Sequence, residues 1–276
     1  MLHDVKDQDW LDLQFEPERA REIGISIPGF PSDHHQVSFT GMTGRQNLEQ
    51  GFCFYKYAHK AAKLDRVKNP HILDFGSGWG RIARFWLRDT PPENITTSDA
   101  MDMAVNLLKE LNAPYHIVKN PPYPPADYGR KYDLIYAFSV FSHLSEKYTF
   151  AWIDFLLDQL KPNGRLVFTT RGHDFIRDIS HIKMQTEEFI EAQTVGGTGA
   201  YLKQIRQTFP DPEVMRLRHE AGELQFFPLN HSRLPEDCTG ETIIPRGYFV
   251  KRYGDRLVSF DESVEHFRQA VITLRR

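Results

Sequence analysis

The densest run of chemistry-bearing residues in the chain is Asp74-Phe75-Gly76-Ser77-Gly78-Trp79-Gly80. Glycines at alternate positions let a backbone turn tightly and approach a ligand closely, because no Cβ stands in the way. One carboxylate, Asp74, stands two residues before the first glycine, and a second, Asp99, follows the loop by about 20 residues. At the end of a strand, a carboxylate such as Asp99 can accept hydrogen bonds from both hydroxyls of a ribose. At the start of a helix it can serve as an N-cap, and the two roles are compatible.

Two cofactor classes use such a loop. A nicotinamide or flavin dinucleotide is bound by the spacing GxGxxG, and a nearby carboxylate would repel its pyrophosphate. Here the spacing is GxGxG and Asp74 is that carboxylate. The ammonium of a zwitterionic amino acid could use Asp74, so the residue favours S-adenosylmethionine.

These residues act only where strands and helices hold them. Leu48, Phe52, Tyr55, Ala58 and Ala62 recur at steps of three and four, which predicts a helix from Gln46 to about Val67. His71 to Phe75 reads as a strand, the glycines as a turn and Arg81 to Leu87 as a helix. Ile95 to Asp99 is a second strand and Met101 to Leu111 a second helix. Strands follow at Tyr115 to Lys119 and Tyr132 to Phe138, with the proline-rich loop Asn120 to Tyr128 between them. A helix through Phe150 to Leu160, a turn at Lys161 to Gly164 and a fifth strand at Arg165 to Thr170 continue the alternation. Such alternation predicts an α/β, doubly wound, mostly parallel sheet with helices on both faces.

The flanks are less regular. Residues 1 to about 45, with Pro28 and Pro31, read as an arm with little regular structure, carrying the helix that packs on the core, so that 1–67 forms one segment. The cofactor-binding half is expected at 68–171, an insertion or lid at 172–240 and closing strands at 241–276. Within the insertion stand a helical piece at Glu187 to Gln193, the flexible run Gly196-Gly197-Thr198-Gly199 and the aromatic pair Phe226-Phe227. Pro245 to Tyr253 reads as a short helix, and Arg256 to Phe260 and Gln269 to Leu274 as the last strands.

Ile72 to Gly80, Asp99, Tyr132-Asp133-Leu134-Ile135-Tyr136 and Leu160-Lys161-Pro162-Asn163-Gly164-Arg165-Leu166 together resemble class I S-adenosylmethionine methyltransferases. The resemblance covers Gln46 to Thr170 and resumes in the last thirty residues. It implies a Rossmann-like sheet of seven strands, the last antiparallel and supplied by Gln269 to Leu274. It also implies a cofactor set of Asp74, Gly76, Ser77, Gly78, Gly80, Asp99, Ala100, Met101, Asn120 and Phe138. The family often places an acid after the third strand to meet the adenine amino group; here Asn120 stands there, and its carbonyl can accept the same hydrogen bond. Phe138-Ser139-Val140-Phe141-Ser142-His143-Leu144 and Pro245-Arg246-Gly247-Tyr248-Phe249 further resemble bacterial methyltransferases of sugar and polysaccharide biosynthesis.

A sulfonium already activates its methyl group, so the protein mainly aligns nucleophile, carbon and sulfur. An alcohol nucleophile also needs a base, and His143, just past the fourth strand, is the candidate, because imidazole exchanges protons near neutrality. The alternative is that His143 packs beside the cofactor. Arg171 and His173 follow the fifth strand as candidate substrate contacts, and Arg171 could equally pair with a nearby acid. Tyr55, Tyr57, Phe226 and Phe227 could form an aromatic cover or serve in the core.

The formal charge of −3 lacks the basic excess that nucleic-acid binding normally requires, which disfavours a nucleic-acid substrate, and the resemblance implies a small molecule or glycan as the acceptor. The N-terminus lacks an apolar signal region and no window reaches the ~18 apolar residues of a membrane span, which predicts a cytosolic protein. Two cysteines, Cys53 and Cys238, make no disulfide framework or metal motif. His173, Asp174, Asp178 and His181 read as a polar helix face rather than a metal site. The remaining alternatives are an NAD(P)-dependent oxidoreductase and a cofactor-binding protein without catalysis.

Overall fold

In the computed structural model, residues 5–192, 198–229, 234, 235, 237–262, 264 and 266–276 are described. By contacts the chain divides into a first unit of Met1–Phe138, Trp152–Val167 and Arg275–Arg276, and a second of Ser139–Ala151 and Phe168–Leu274.

The first unit opens with three short helices, α1 (Asp7–Leu13), α2 (Pro17–Glu22) and α3 (Asp33–Thr40), where the sequence predicted little regular structure. Each has a local cause too brief for a periodicity window. α1 buries Trp10, Leu11 and Leu13, and the Trp10 indole donates to the carbonyl of Phe85 at 3.1 Å. Pro17 begins α2, where its missing N–H costs nothing. The Ser32 hydroxyl accepts from the amide of His35 and caps α3. The expected long helix follows as α4 (Gly44–Ala62), burying Leu48, Phe52, Phe54, Tyr55 and Ala58. Tyr55 is a core residue, its ring 4.6 Å from that of Trp86 and its hydroxyl donating to Asp89 at 2.6 Å.

The fully buried strand β1 (Ile72–Phe75) leads into the glycine loop. The helix predicted beyond that loop is instead a 3₁₀ run, Ala83–Arg88. Ala83, Arg84, Phe85 and Trp86 are all buried in succession, and no α-helix with a single inward face produces that pattern. Then come β2 (Ile95–Asp99), α5 (Asp102–Glu110), β3 (His116–Lys119), β4 (Tyr132–Ala137), α6 (Glu146–Asp158) and β5 (Leu160–Thr170). β5 absorbs the turn predicted at Lys161 to Gly164. Lys161 is tied to Asp133 at 2.7 Å, and a Cβ on Gly164 would stand 2.9 Å from the carbonyl of Tyr132, so this stretch lies flat against its neighbour.

The second unit shows that the loosely patterned segment is folded. It holds α7 (His173–Met184), α8 (Glu187–Ala192), α9 (Thr198–Thr208), α10 (Pro212–Glu220) and the antiparallel pair β6 (Gln225–Pro228) and β7 (Gly240–Ile243). Phe175, Ile179, Ile205, Phe209 and Met215 form its buried core, with Phe227 packed against them. Gly196 and Gly197 lie outside the described residues, while Thr198 and Gly199 begin α9. α11 (Arg246–Tyr253), β8 (Leu257–Asp261) and β9 (Ala270–Arg275) close the chain close to the predicted positions.

The seven-stranded sheet has the order β3-β2-β1-β4-β5-β9-β8. β1 pairs parallel with β2 and β4, β2 parallel with β3, and β8 antiparallel with β9. Strand order therefore reverses at β1 and β4, the point beyond which open α/β sheets bind ligands.

Gly240 begins β7, where a Cβ would lie 2.3 Å from the carbonyl oxygen of Phe227. Gly240→Ala must push the two strands apart, at a cost of about 1–3 kcal/mol for such overpacking. The expected result is a melting temperature lowered by several degrees, measured by calorimetry.

Candidate cofactor and catalytic site

In the first unit the glycine loop is fixed by its own backbone. The amides of Gly76 and Ser77 both donate to the carbonyl of Ser98, at 2.7 and 3.0 Å. Gly76, Gly78 and Gly80 have φ of 74°, 53° and 78°, left-handed values that other residues rarely adopt. A Cβ on Gly80 would meet Leu108 at 2.8 Å, and one on Gly78 would meet the ring of Phe39 at 3.1 Å.

Asp99 binds this loop directly. Its Oδ2 accepts from the amide of Gly78 at 2.9 Å and its Oδ1 from the amide of Met101 at 2.8 Å. The N-cap position of α5 falls to Met101, so Asp99 does not cap the helix; it pins the glycine loop to the end of β2. Burial raises the carboxyl of Asp99, while the two amides oppose that rise. Ala100 follows it, half-buried. Asn120 is buried; its amide donates to the carbonyl of Asp99 at 2.8 Å and its side-chain oxygen accepts from the Tyr128 hydroxyl at 2.9 Å.

Asp74 is buried at the carboxyl end of β1, and burial pushes its carboxyl up to about 7, with the nearby Tyr136 hydroxyl and Arg81 pulling the other way. Arg81 is itself anchored, its Nη1 donating to the carbonyl and side-chain oxygen of Asn47 and to Gln50, each at 2.9 Å. Its guanidinium lies 5.0 Å from the ring centre of Phe138, which packs edge-on against Phe54. Sequence reasoning did not single out Arg81, although an arginine one residue past the last loop glycine is visible there. The residues fit S-adenosylmethionine. The loop is a glycine cradle, the buried Ser77 hydroxyl has no hydrogen-bond partner among the described residues, and Asp74 is a buried carboxylate suited to a cation.

In the second unit, His143 and Arg171 meet on a residue the sequence did not nominate. Glu241 is fully buried; its Oε1 lies 3.2 Å from His143 Nδ1 and its Oε2 accepts from Arg171 Nε at 3.0 Å. The Tyr201 hydroxyl donates to Oε1 at 2.8 Å. Burial alone would push Glu241 up, yet Arg171 and His143 hold it well below the usual carboxylate range. Arg171 thus pairs with an acid, and its guanidinium also lies 4.3 Å from the centre of the Phe175 ring. Nothing in the local sequence marks Glu241 or Tyr201, since both lie in the insertion or just past it.

The polar group on α7 is engaged otherwise: Asp174 pairs with Arg177 at 2.9 Å and Asp178 with Arg268 at 3.0 Å. Among the described residues no three His, Cys, Asp or Glu side chains are grouped to hold a metal ion, and no helix is long and apolar enough to cross a membrane.

Strand order and loop define a Rossmann-like, doubly wound α/β domain built around a nucleotide-type cofactor. A family model described as "Methyltransferase domain" matches residues 49–229, well over half of the chain. The chain belongs to that family and carries an S-adenosylmethionine-dependent methyltransferase domain. Comparison with curated proteins gives no match. Among solved structures, DesVI from Streptomyces venezuelae is similar over 99% of both chains, with 10% identity and a TM-score of 0.51, which is a likeness of fold. The sugar N-methyltransferase KedS8 from Streptoalloteichus is 13% identical over 42% of this chain, with a TM-score of 0.37. CcbJ from Streptomyces caelestis is 15% identical over 44%, with a TM-score of 0.36. The chain spans 47% and 51% of the lengths of these last two proteins.

Proposed function

We propose that the protein transfers the methyl group of S-adenosylmethionine to a hydroxyl of a sugar, glycan or other small molecule. The observation that carries this reading is the imidazole of His143 held against the buried carboxylate of Glu241, the equipment of a base that takes a proton from an alcohol. The sugar class of acceptor rests on the motifs Phe138 to Leu144 and Pro245 to Phe249. Residues 172–240 select the acceptor.

When bound, the cofactor supplies a methyl group already activated on sulfur. Asp74 attracts its ammonium group, Asp99 accepts from the ribose hydroxyls, and the Asn120 carbonyl accepts from the adenine amino group through the lone pair that Tyr128 leaves. Gly76, Ser77, Gly78 and Gly80 shape the backbone around it, with Ala100, Met101 and Phe138 beside it. His143 removes the acceptor proton, and Arg171 keeps Glu241 ionised.

The test is calorimetry with S-adenosylhomocysteine and with NADH, followed by a product screen with methyl-labelled cofactor and nucleotide sugars, free sugars and glycans. Binding of S-adenosylhomocysteine alone, and label in an O-methyl ether, support the reading. Binding of NADH alone overturns it, and label recovered only on nitrogen overturns the hydroxyl acceptor.

The position of Asp74 also sets a pH dependence. An ammonium binds the carboxylate and not the acid, and Asp74 in the free protein ionises at about 7. Below that value binding must first release a proton, so affinity falls with acidification and levels off above it. From about pH 8 to about pH 6 the dissociation constant of S-adenosylhomocysteine should rise about tenfold. A flat profile across that interval would remove Asp74 from ammonium binding.

A further inference from the structure

We propose that Glu241 is a positioning residue that fixes the tautomer of His143. It accepts the proton of Nδ1, so that Nε2 is the nitrogen left to take the proton of the acceptor hydroxyl. This rests on the reading of His143 as the base.

An ionised carboxylate can only accept hydrogen bonds. Among the described residues, Glu241 meets Arg171 through Nε at 3.0 Å, Tyr201 through its hydroxyl at 2.8 Å and His143 through Nδ1 at 3.2 Å, each able to donate to it. With Arg171 and Tyr201 both donating, the carboxylate remains the acceptor for His143. A neutral imidazole carries one proton, so placing it on Nδ1 frees the lone pair of Nε2.

The backbone holds the pair in register. The amide of Gly240 donates to the carbonyl of His143 at 3.0 Å and that of Thr242 to Ser142 at 2.8 Å. On the far side of Glu241 the amide of Ile244 donates to the carbonyl of Arg171 at 3.2 Å, and Ile243 forms an isolated parallel bridge with Arg171. β7 is therefore tied to the segment that follows β4 and to the segment that follows β5, and Glu241 is its second residue. The tight fit of Gly240 against Phe227 leaves little room for that register to slip.

In the step that follows, the acceptor O–H bond breaks and its proton passes to Nε2. The oxygen forms a bond to the methyl carbon, and the pair of the carbon–sulfur bond leaves on sulfur. The imidazolium keeps its Nδ1 proton directed at Glu241, which takes no proton itself.

The test uses the full chain labelled with ¹⁵N in histidine. Two-bond ¹H–¹⁵N spectra at alkaline pH, with the His143 signals identified by their loss in His143→Ala, report the tautomer. The expected wild-type result is a proton on Nδ1; a proton on Nε2 overturns the proposal, and this measurement needs no acceptor. In Glu241→Gln the side-chain amide can donate to Nδ1, so the proton should move to Nε2. With the acceptor found by the product screen, kcat should fall ~100-fold or more, while KM and the affinity for S-adenosylhomocysteine stay within about twofold of wild type. Glu241→Asp should recover part of the rate. Near-normal kcat in Glu241→Gln, with His143→Ala inactive, overturns this inference and leaves the base in place; near-normal kcat in His143→Ala overturns the base and the inference together.

Discussion

His143→Ala should lower the single-turnover rate of methyl transfer ~100-fold or more, the range expected when a positioned proton acceptor is lost. The dissociation constant of S-adenosylhomocysteine should stay nearly constant, because a base for the acceptor hydroxyl acts in the chemical step and not in binding the cofactor. A packing role would give a different pattern: weaker cofactor binding and a lower melting temperature, with turnover at saturation little changed. Binding, melting and rate measured on this one variant separate the two, and near-normal turnover would remove His143 from the mechanism.

Asp99→Ala should weaken binding of S-adenosylhomocysteine by at least about tenfold, because hydrogen bonds to a charged group contribute about 1.5–3 kcal/mol. Two losses add here. The ribose hydroxyls lose their proposed acceptor, and the amides of Gly78 and Met101 lose the carboxylate oxygens that hold them at 2.9 and 2.8 Å. The second loss loosens the loop even before a ligand arrives, so melting temperature should fall as well. Asp99→Asn keeps one side-chain oxygen as an acceptor and should lie between the two. Calorimetry on both variants checks this, and unchanged affinity in folded Asp99→Ala would reduce the residue to a support for the loop.

Much of the first unit was legible because its signals are local. β2 runs from Ile95 to Asp99 as predicted, β1 begins one residue later than predicted, and α5 keeps Ala104, Leu107 and Leu108 inward. Apolar periodicity and glycine placement act within a few residues, so the order of strands, the loop and the carboxylate beyond it are written in consecutive sequence. The 3₁₀ run at Ala83–Arg88 escaped that reading because its turn is set by what surrounds four successive buried side chains. α1 and α3 escaped it because a buried tryptophan and a serine cap support helices too short to display a period.

Glu241 marks the boundary most clearly. On its own, the run Gly240-Glu241-Thr242-Ile243 offers one acid in a short apolar strand, with no spacing that ties it to His143 or Arg171. Only pairing of β7 with the segments around Ser142 and Arg171 places that acid between an imidazole and a guanidinium. Burying it is tolerable only because three donors meet it there, and those donors come from parts of the chain far apart in sequence. Sequence determined the glycine loop, because a tight turn and a strand-end carboxylate are local requirements; tertiary structure decided the partner of His143, because a buried charge is satisfied by whatever the completed fold brings within hydrogen-bond reach.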